Sequence, residues 1–233
     1  MLNVEQFRYG ADNFAYLIYG TTQAIAVDGG AWQEIFSFLQ KNNLTLAFVT
    51  NTHQHYDHTS GNEHLLKVTR AQFLNSAAFP DNHIIIIDGE IIVVYRTPGH
   101  TDDSVCFHTG SALISGDTIF NGTIGNCFSG NLKNFYLSIK RLMSLPDETI
   151  IYAGHDYVRD SLTFARHLEP GNKDIERFWN SYDPDYVYST MADERRINPY
   201  LRFNEEPIVN LLKKNTLPHA TESERWHSLM SIE

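Results

Sequence analysis

Cysteine is scarce in this chain. Only Cys106 and Cys127 occur in 233 residues, too few for an extracellular disulfide framework and consistent with a reducing compartment, with room for one bridge at most. Positive charge is in deficit too: 18 Lys and Arg stand against 28 Asp and Glu, a formal charge of −10. No basic stripe relieves that acidity, and neutralising phosphates needs clustered Lys and Arg, so no nucleic-acid partner is expected. Long apolar runs are missing. No aliphatic stretch is longer than Ile84 to Ile87, far short of the about 20 residues that span a bilayer. The opening MLNVEQFRYGADNF lacks a charged leader followed by an apolar run. These absences predict a cytoplasmic chain without a membrane partner, taken here as a monomer.

What is present is a chain long enough to bury a core, with 42% hydrophobic residues. Its first half alternates short apolar runs with turn residues: Leu2 to Tyr9, Phe14 to Tyr19, Ala24 to Val27, Leu46 to Val49, Ile84 to Ile87 and Ile91 to Tyr95. These read as strands. Trp32 to Asn42 spaces Ile35, Phe36, Phe38 and Leu39 along one helical face, and Leu132 to Met143 does the same with Phe135, Ile139 and Leu142. Further strands are expected at Ser104 to His108, Ala112 to Ser115 and Thr149 to Ala153. From Arg159 onward the strands stop, and helical patterns at Ser161 to Leu168, Asp174 to Asn180 and Pro207 to Lys214 take over. The pattern predicts a strand-rich, two-layered core with outer helices over residues 1–158, and a small helical domain over 159–233.

The chemistry is concentrated in His53-Gln54-His55-Tyr56-Asp57-His58, four metal-competent side chains in six residues directly after the strand ending at Thr50. The bland reading is a solvated polar loop. It weakens because His100, Asp117 and His155 also follow strands, ending near Thr97, Ser115 and Ala153. If those strands lie side by side, their ends meet at one edge, where rigidly held loops build sites. Gly99, Gly116 and Gly154 precede the three later candidates and let the backbone turn sharply.

Five imidazoles with two carboxylates suit zinc, iron or manganese rather than calcium. Seven protein groups exceed what one ion holds while keeping a position open, so the set calls for two divalent ions. His53, His55 and His100 are assigned to one, and Asp57, His58 and His155 to the other. Asp117 bridges them, since a carboxylate offers two oxygens and an imidazole one lone pair. The two cations make a positive island for an anionic substrate. Water there loses its proton near neutral pH, its pKa falling from about 15.7 to about 7, and Asp57 is the catalytic residue that orients it.

This motif set, with His100 in TPGHT, Asp117 in SGDT and His155 in AGHDY, resembles the metallo-β-lactamase superfamily. The resemblance implies an α+β fold, an αββα sandwich with a binuclear site. FARHLEPGN (164–172) and ERRINPYLRF (194–203) are similar to the glyoxalase II branch, the hydroxyacylglutathione hydrolases, and extend the likeness over nearly the whole chain. It implies hydrolysis of a small-molecule thioester, S-D-lactoylglutathione, to glutathione and D-lactate. Tyr157 and Arg202 match family contacts to glutathione. Asn126 and Phe128 stand where the family usually has a basic residue and, two positions on, a tyrosine; Glu205 and Glu206 stand where it often has another lysine. Two lost charge-assisted hydrogen bonds, at about 1.5 to 3 kcal/mol each, weaken glutathione binding about a hundredfold or more.

Other functions follow from the same residues. A relative that oxidises glutathione persulfide binds one iron; a binuclear phosphodiesterase shares the fold but conflicts with the charge; a non-catalytic binding module conflicts with the complete ligand set. His64, His83, His108, His167, His219 and His227 are read as structural or solvated. Asp28 either supports a metal histidine from behind or makes a turn. Asp102 and Asp103 are candidates to support His100. Cys127 has no neighbouring base to activate it. Phe178, Trp179, Tyr182, Tyr186 and Tyr188 are expected to pack in the helical part.

Overall fold

The computed structural model describes residues 1–232. One sheet runs β1 (Asn3–Tyr9), β2 (Asn13–Tyr19), β3 (Gln23–Val27), β4 (Thr45–Thr50) and β5 (Gln72–Phe73), side by side in that order. Its first three strands are antiparallel and the last pairings are parallel. The parallel step from β3 to β4 is made through α1 (Trp32–Lys41), and that from β4 to β5 through α2 (Tyr56–Thr59) and α3 (Asn62–Val68). The second sheet is built from β6 (His83–Ile87), β7 (Glu90–Arg96), β8 (Val105–Thr109), β9 (Ala112–Gly116), β12 (Ile150–Ala153) and β13 (Ser189–Thr190), in the order β13-β12-β9-β8-β7-β6. Between β9 and β12 come a small hairpin, β10 (Ile119–Phe120) with β11 (Thr123–Ile124), and α4 (Leu132–Leu142).

Period-two alternation sorts the side chains into layers. Phe14, Tyr16 and Ile18 of β2 and Ile25 and Val27 of β3 face Ile85, Ile87, Ile92, Val94 and Phe107 of the second sheet, and this is the central core. Their neighbours Ala15, Leu17, Ala24 and Ala26 point the other way, under Ile35 and Leu39 of α1 and Leu65 of α3. On the far side, Cys106, Leu113 and Ile151 lie under Phe135, Ile139 and Leu142 of α4 and under Trp226. Helices therefore cover both outer faces of two stacked sheets. Strands buried on both faces carry near-continuous apolar runs, which is why β2 and β3 were plain in the sequence.

The C-terminal part holds α5 (Val158–Leu168), α6 (Lys173–Ser181), α7 (Met191–Ile197), α8 (Glu206–Lys214) and α9 (Glu222–Leu229). Val158, Leu162, Ala165, Ile175 and Ile197 join the central core, and Ser189–Thr190 adds an antiparallel edge strand to β12. The expectation that strands stop at Arg159 is corrected by that pair: two polar residues carry no alternation, and their pairing is imposed by the edge of β12.

Both cysteines are free; burial raises the thiol pKa of Cys106 to about 11. His83 stacks on Phe79, His108 on Tyr95 and His64 on Trp32. Phe178, Trp179 and Tyr182 pack on the core as expected, whereas Tyr186 and Tyr188 are exposed and line a cavity of about 430 Å³ with Phe178 and Tyr182. No described helix is long and apolar enough to cross a membrane.

Candidate metal centre

Four strand ends deliver the seven side chains to one place. His53 and His55 follow β4, with Asp57 and His58 in the single turn of α2; His100 lies between β7 and β8, Asp117 after β9, and His155 after β12. The donor atoms fall into three overlapping groups, His53 with His55 and His100, His53 with His58 and Asp117, and Asp57 with His58 and His155, each within 4.8 Å. His53 Nε2 is 2.8 Å from His55 Nδ1, which is 3.1 Å from His100 Nε2. On the other side, His155 Nε2 is 3.2 Å from His58 Nε2 and 3.3 Å from Asp57 Oδ2. Asp117 stands between the two triads: its Oδ2 is 3.5 Å from both His100 Nε2 and His155 Nε2, and its Oδ1 is 3.4 Å from His58 Nε2.

The backs of the rings are occupied by hydrogen-bond acceptors. His58 Nδ1 donates to Asp28 Oδ2 at 2.9 Å. His53 Nδ1 donates to Thr52 Oγ1 at 3.1 Å, and that hydroxyl donates on to Asp28 at 2.7 Å. Asp28 therefore orients both rings while its backbone, at φ 55°, also makes the turn after β3; the two readings of this residue are both fulfilled. His155 Nδ1 donates to Asp12 Oδ1 at 3.0 Å. His100 Nδ1 donates to the carbonyl of Asn126 at 2.9 Å, so the acceptor is a backbone group rather than Asp102 or Asp103. With those protons placed, the Nε2 lone pairs of His53, His58, His100 and His155 converge on one another.

Such convergence is costly without a cation. Burial, reinforced by His58, pushes His53 down to about 2. Burial also lowers His100. For His58 burial opposes the charged form, yet Asp28 and Asp117 overcome it and raise the ring well above its usual range. Burial likewise opposes a charged Asp117, but the His155 and His58 rings beside it hold it well below the carboxylate range. Asp117 Oδ1 is buried with no hydrogen-bond partner. Facing lone pairs and an orphaned carboxylate oxygen are the signature of a donor set that fits metal ions.

Two glycines are explained here. Gly116 has φ +50°, the sharp turn expected before Asp117. Gly154 serves close approach instead: a Cβ would sit 2.2 Å from Asp117 Oδ1.

Three contributors carried no sequence signal. Asp12 and Asn13 lie in and after the β1–β2 turn, and Asn13 Nδ2 donates to Asp57 Oδ2 at 2.9 Å. Tyr9, at the end of β1, donates its hydroxyl to the Asp57 carbonyl at 2.7 Å. An isolated bridge between Asn13 and His155 brings this turn to the site.

The rim is aromatic. Phe128, 66% exposed, lies edge-on to His55 and His100, with ring centroids 5.7 and 5.2 Å away. Tyr157 stacks on His155 at 4.9 Å and touches Phe120. Asn126 contributes its carbonyl, while its side chain is exposed. Arg202 is placed differently. Its guanidinium grips the buried Glu169 through Nε and Nη2 at 2.7 and 2.8 Å and donates to the Arg195 carbonyl. It lines a cavity of about 780 Å³ walled by residues 167–174 and by α8.

Comparison with known proteins decides the family. The model for the metallo-beta-lactamase superfamily matches residues 9–74 and 81–155, and that for the hydroxyacylglutathione hydrolase C-terminus matches 156–229. The hydroxyacylglutathione hydrolase 1 of Vibrio vulnificus is 35% identical over 83% of this chain and 84% of its own length. The chain belongs to the hydroxyacylglutathione hydrolase family. The hydroxyacylglutathione hydrolase of Chromohalobacter salexigens is similar at 32% identity over 91% of both chains. Among solved structures, ETHE1 from Myxococcus xanthus superposes with a TM-score of 0.69 at 25% identity, covering 97% of this chain and 99% of its own. The stacked sheets, the outer helices and the His/Asp cluster are thus those of a metallo-β-lactamase-fold, metal-dependent hydrolase.

Proposed function

We propose that this chain hydrolyses glutathione thioesters, S-D-lactoylglutathione first among them, at a pair of divalent cations. One observation carries the reading: Asp117 reaches both triads, with its Oδ2 equidistant from His100 and His155 at 3.5 Å. His53, His55 and His100 would hold one ion and Asp57, His58 and His155 the other, with Asp117 shared and zinc, iron or manganese as occupant. A single-iron oxygenase would leave one triad without use.

Bound there, the ions supply Lewis acidity and bring the pKa of water from about 15.7 to about 7. The protein's own part is positioning. Asp57, its side chain 46% exposed, is held by Asn13 and faces the open side, where its carboxylate accepts a hydrogen bond from the attacking water and aims it. Phe128 and Tyr157 form the walls of the mouth and exclude bulk water from the thioester carbonyl. The leaving thiolate, with a pKa of about 8.5, departs without a strong general acid.

Thiol recognition is the weaker part of the site. Asn126 and Phe128 supply neither a charge nor a hydroxyl, and the Glu169 clamp leaves only part of the Arg202 fork for a carboxylate of the substrate. Tyr157 retains its hydroxyl at the rim. Steady-state kinetics on lactoylglutathione beside other acyl thioesters tests the reading. Hydrolysis abolished by chelation and restored by zinc, iron or manganese supports it, with a KM for lactoylglutathione no lower than for the others; chelator-insensitive hydrolysis refutes it.

A further inference from the structure

Glu194 is a buried ionisable group that the chemistry above does not use. It sits on α7, in the C-terminal part, with no exposed surface. Both carboxylate oxygens accept from the backbone N–H of Gly122, at 3.0 and 3.1 Å. Asn198 Nδ2 donates to Glu194 Oε2 at 2.7 Å and also to the carbonyl of Thr123 at 2.9 Å. The preceding residue is held as well: Asn121 Nδ2 donates to Ser189 Oγ at 2.7 Å, and Ser189 in turn bonds Glu194. One carboxylate thus clamps the whole turn of the β10–β11 hairpin from the C-terminal side.

That hairpin touches the metal centre at both ends. Its first strand starts two residues after Asp117 and carries Phe120, which packs on Tyr157 at 5.0 Å and on His155 at 6.0 Å. Its second strand leads into Asn126, whose carbonyl fixes the His100 ring. Gly125, between that strand and Asn126, comes so close to the site that a Cβ would lie 2.0 Å from the Asp117 carbonyl and 3.0 Å from His100 Nδ1. A shift of the turn is therefore passed to the residue between the triads and to one histidine on each side of it.

We propose that Glu194 is a positioning residue: by clamping the Gly122 turn it sets the alignment of Asp117 and His100, and so couples the C-terminal segment to the geometry of the metal centre. The proposal rests on the metal-dependent hydrolase reading. A buried carboxyl group is a costly way to hold a turn unless its hydrogen bonds serve some purpose. Asp193 is the charged neighbour that acts on it; Ser189, Asn198 and the Gly122 N–H supply its hydrogen bonds.

The test is Glu194→Gln in the full-length chain loaded with Co(II). Glutamine sets an NH2 group against the N–H donors of Gly122 and Asn198. The expected result is a folded protein with an altered cobalt d–d spectrum and with kcat reduced by about tenfold to a hundredfold, the scale of a misplacement near 1 Å; KM stays within about twofold because no substrate contact is removed. Should E194Q fail to fold, Asn198→Ser withdraws the clamp's other donor without burying a new group, and a shifted cobalt spectrum is expected there too. A variant that is less stable but has the wild-type spectrum and kcat overturns the proposal, since a purely structural residue behaves that way. A wild-type chain that takes up no Co(II) overturns both the proposal and the metal reading. A wild-type chain that binds Co(II), differs spectrally from E194Q and cleaves no thioester overturns the function alone.

Discussion

Asp28 Oδ2 lies 2.9 Å from His58 Nδ1, with neither side chain exposed. The same carboxylate takes the Thr52 hydroxyl and so steers His53 at one remove. One residue thereby orients a histidine in each triad. Asp28→Asn keeps the shape but turns an acceptor into a mixed group and weakens both orientations. Metal affinity is expected to fall by about tenfold to a hundredfold, measured by competition with a chromophoric chelator. Unchanged affinity would mean that packing alone sets these rings.

Asp12 performs the corresponding service for His155 at 3.0 Å, but its side chain is 38% exposed. Water can replace a lost acceptor at such a site, so Asp12→Ala should cost less metal affinity than Asp28→Asn in the same competition assay. An equal or larger loss would show that the His155 contact is not shared with solvent.

Glu194 also makes stability depend on pH. Burial raises its pKa from the ordinary 4.5 to about 7. The folded state therefore binds a proton that the unfolded state has released between those values. The sign follows: this stabilisation is complete below about pH 4.5 and is lost as pH rises through about 7. The loss is on the order of 3 kcal/mol. Denaturant unfolding of wild type and E194Q from pH 5 to 8 should show a difference that shrinks or reverses as pH rises. A difference constant across that range would contradict the assignment.

The rim makes a prediction about specificity. Asn126→Lys with Phe128→Tyr adds a charge and a hydroxyl beside His55 and His100. If each gains about 1.5 kcal/mol, the KM for lactoylglutathione drops by about a hundredfold, while that for an acyl thioester of an uncharged thiol hardly moves. Equal changes for both substrates would remove the thiol from the explanation.

The sandwich is legible because strands buried on both faces carry dense apolar runs: Phe14 to Tyr19 matches β2 to within one residue, and Ala24 to Val27 matches β3 likewise. The seven converging side chains were legible because His53 to His58 is dense and the other three follow strand ends. What escaped lacks either signal. The short β5 and β13 exist by pairing with a neighbour rather than by propensity. In α3, NEHLLKV buries only Leu65 among its apolar residues, too little to set a helical period. Asp12, Asn13 and Tyr9 look like an ordinary turn, and only the fold brings that turn to His155. The acceptor for His100 is a backbone carbonyl, which every residue has, so nothing in the sequence marks Asn126 over Asp102 or Asp103.

Elemental analysis of the purified chain beside His55→Ala and His155→Ala tests the central claim most directly. Two donor triads sharing Asp117 predict about two divalent ions per wild-type chain, with each variant losing about one and keeping the other. A wild-type chain that saturates with a single ion, or variants that both retain the full complement, would contradict it.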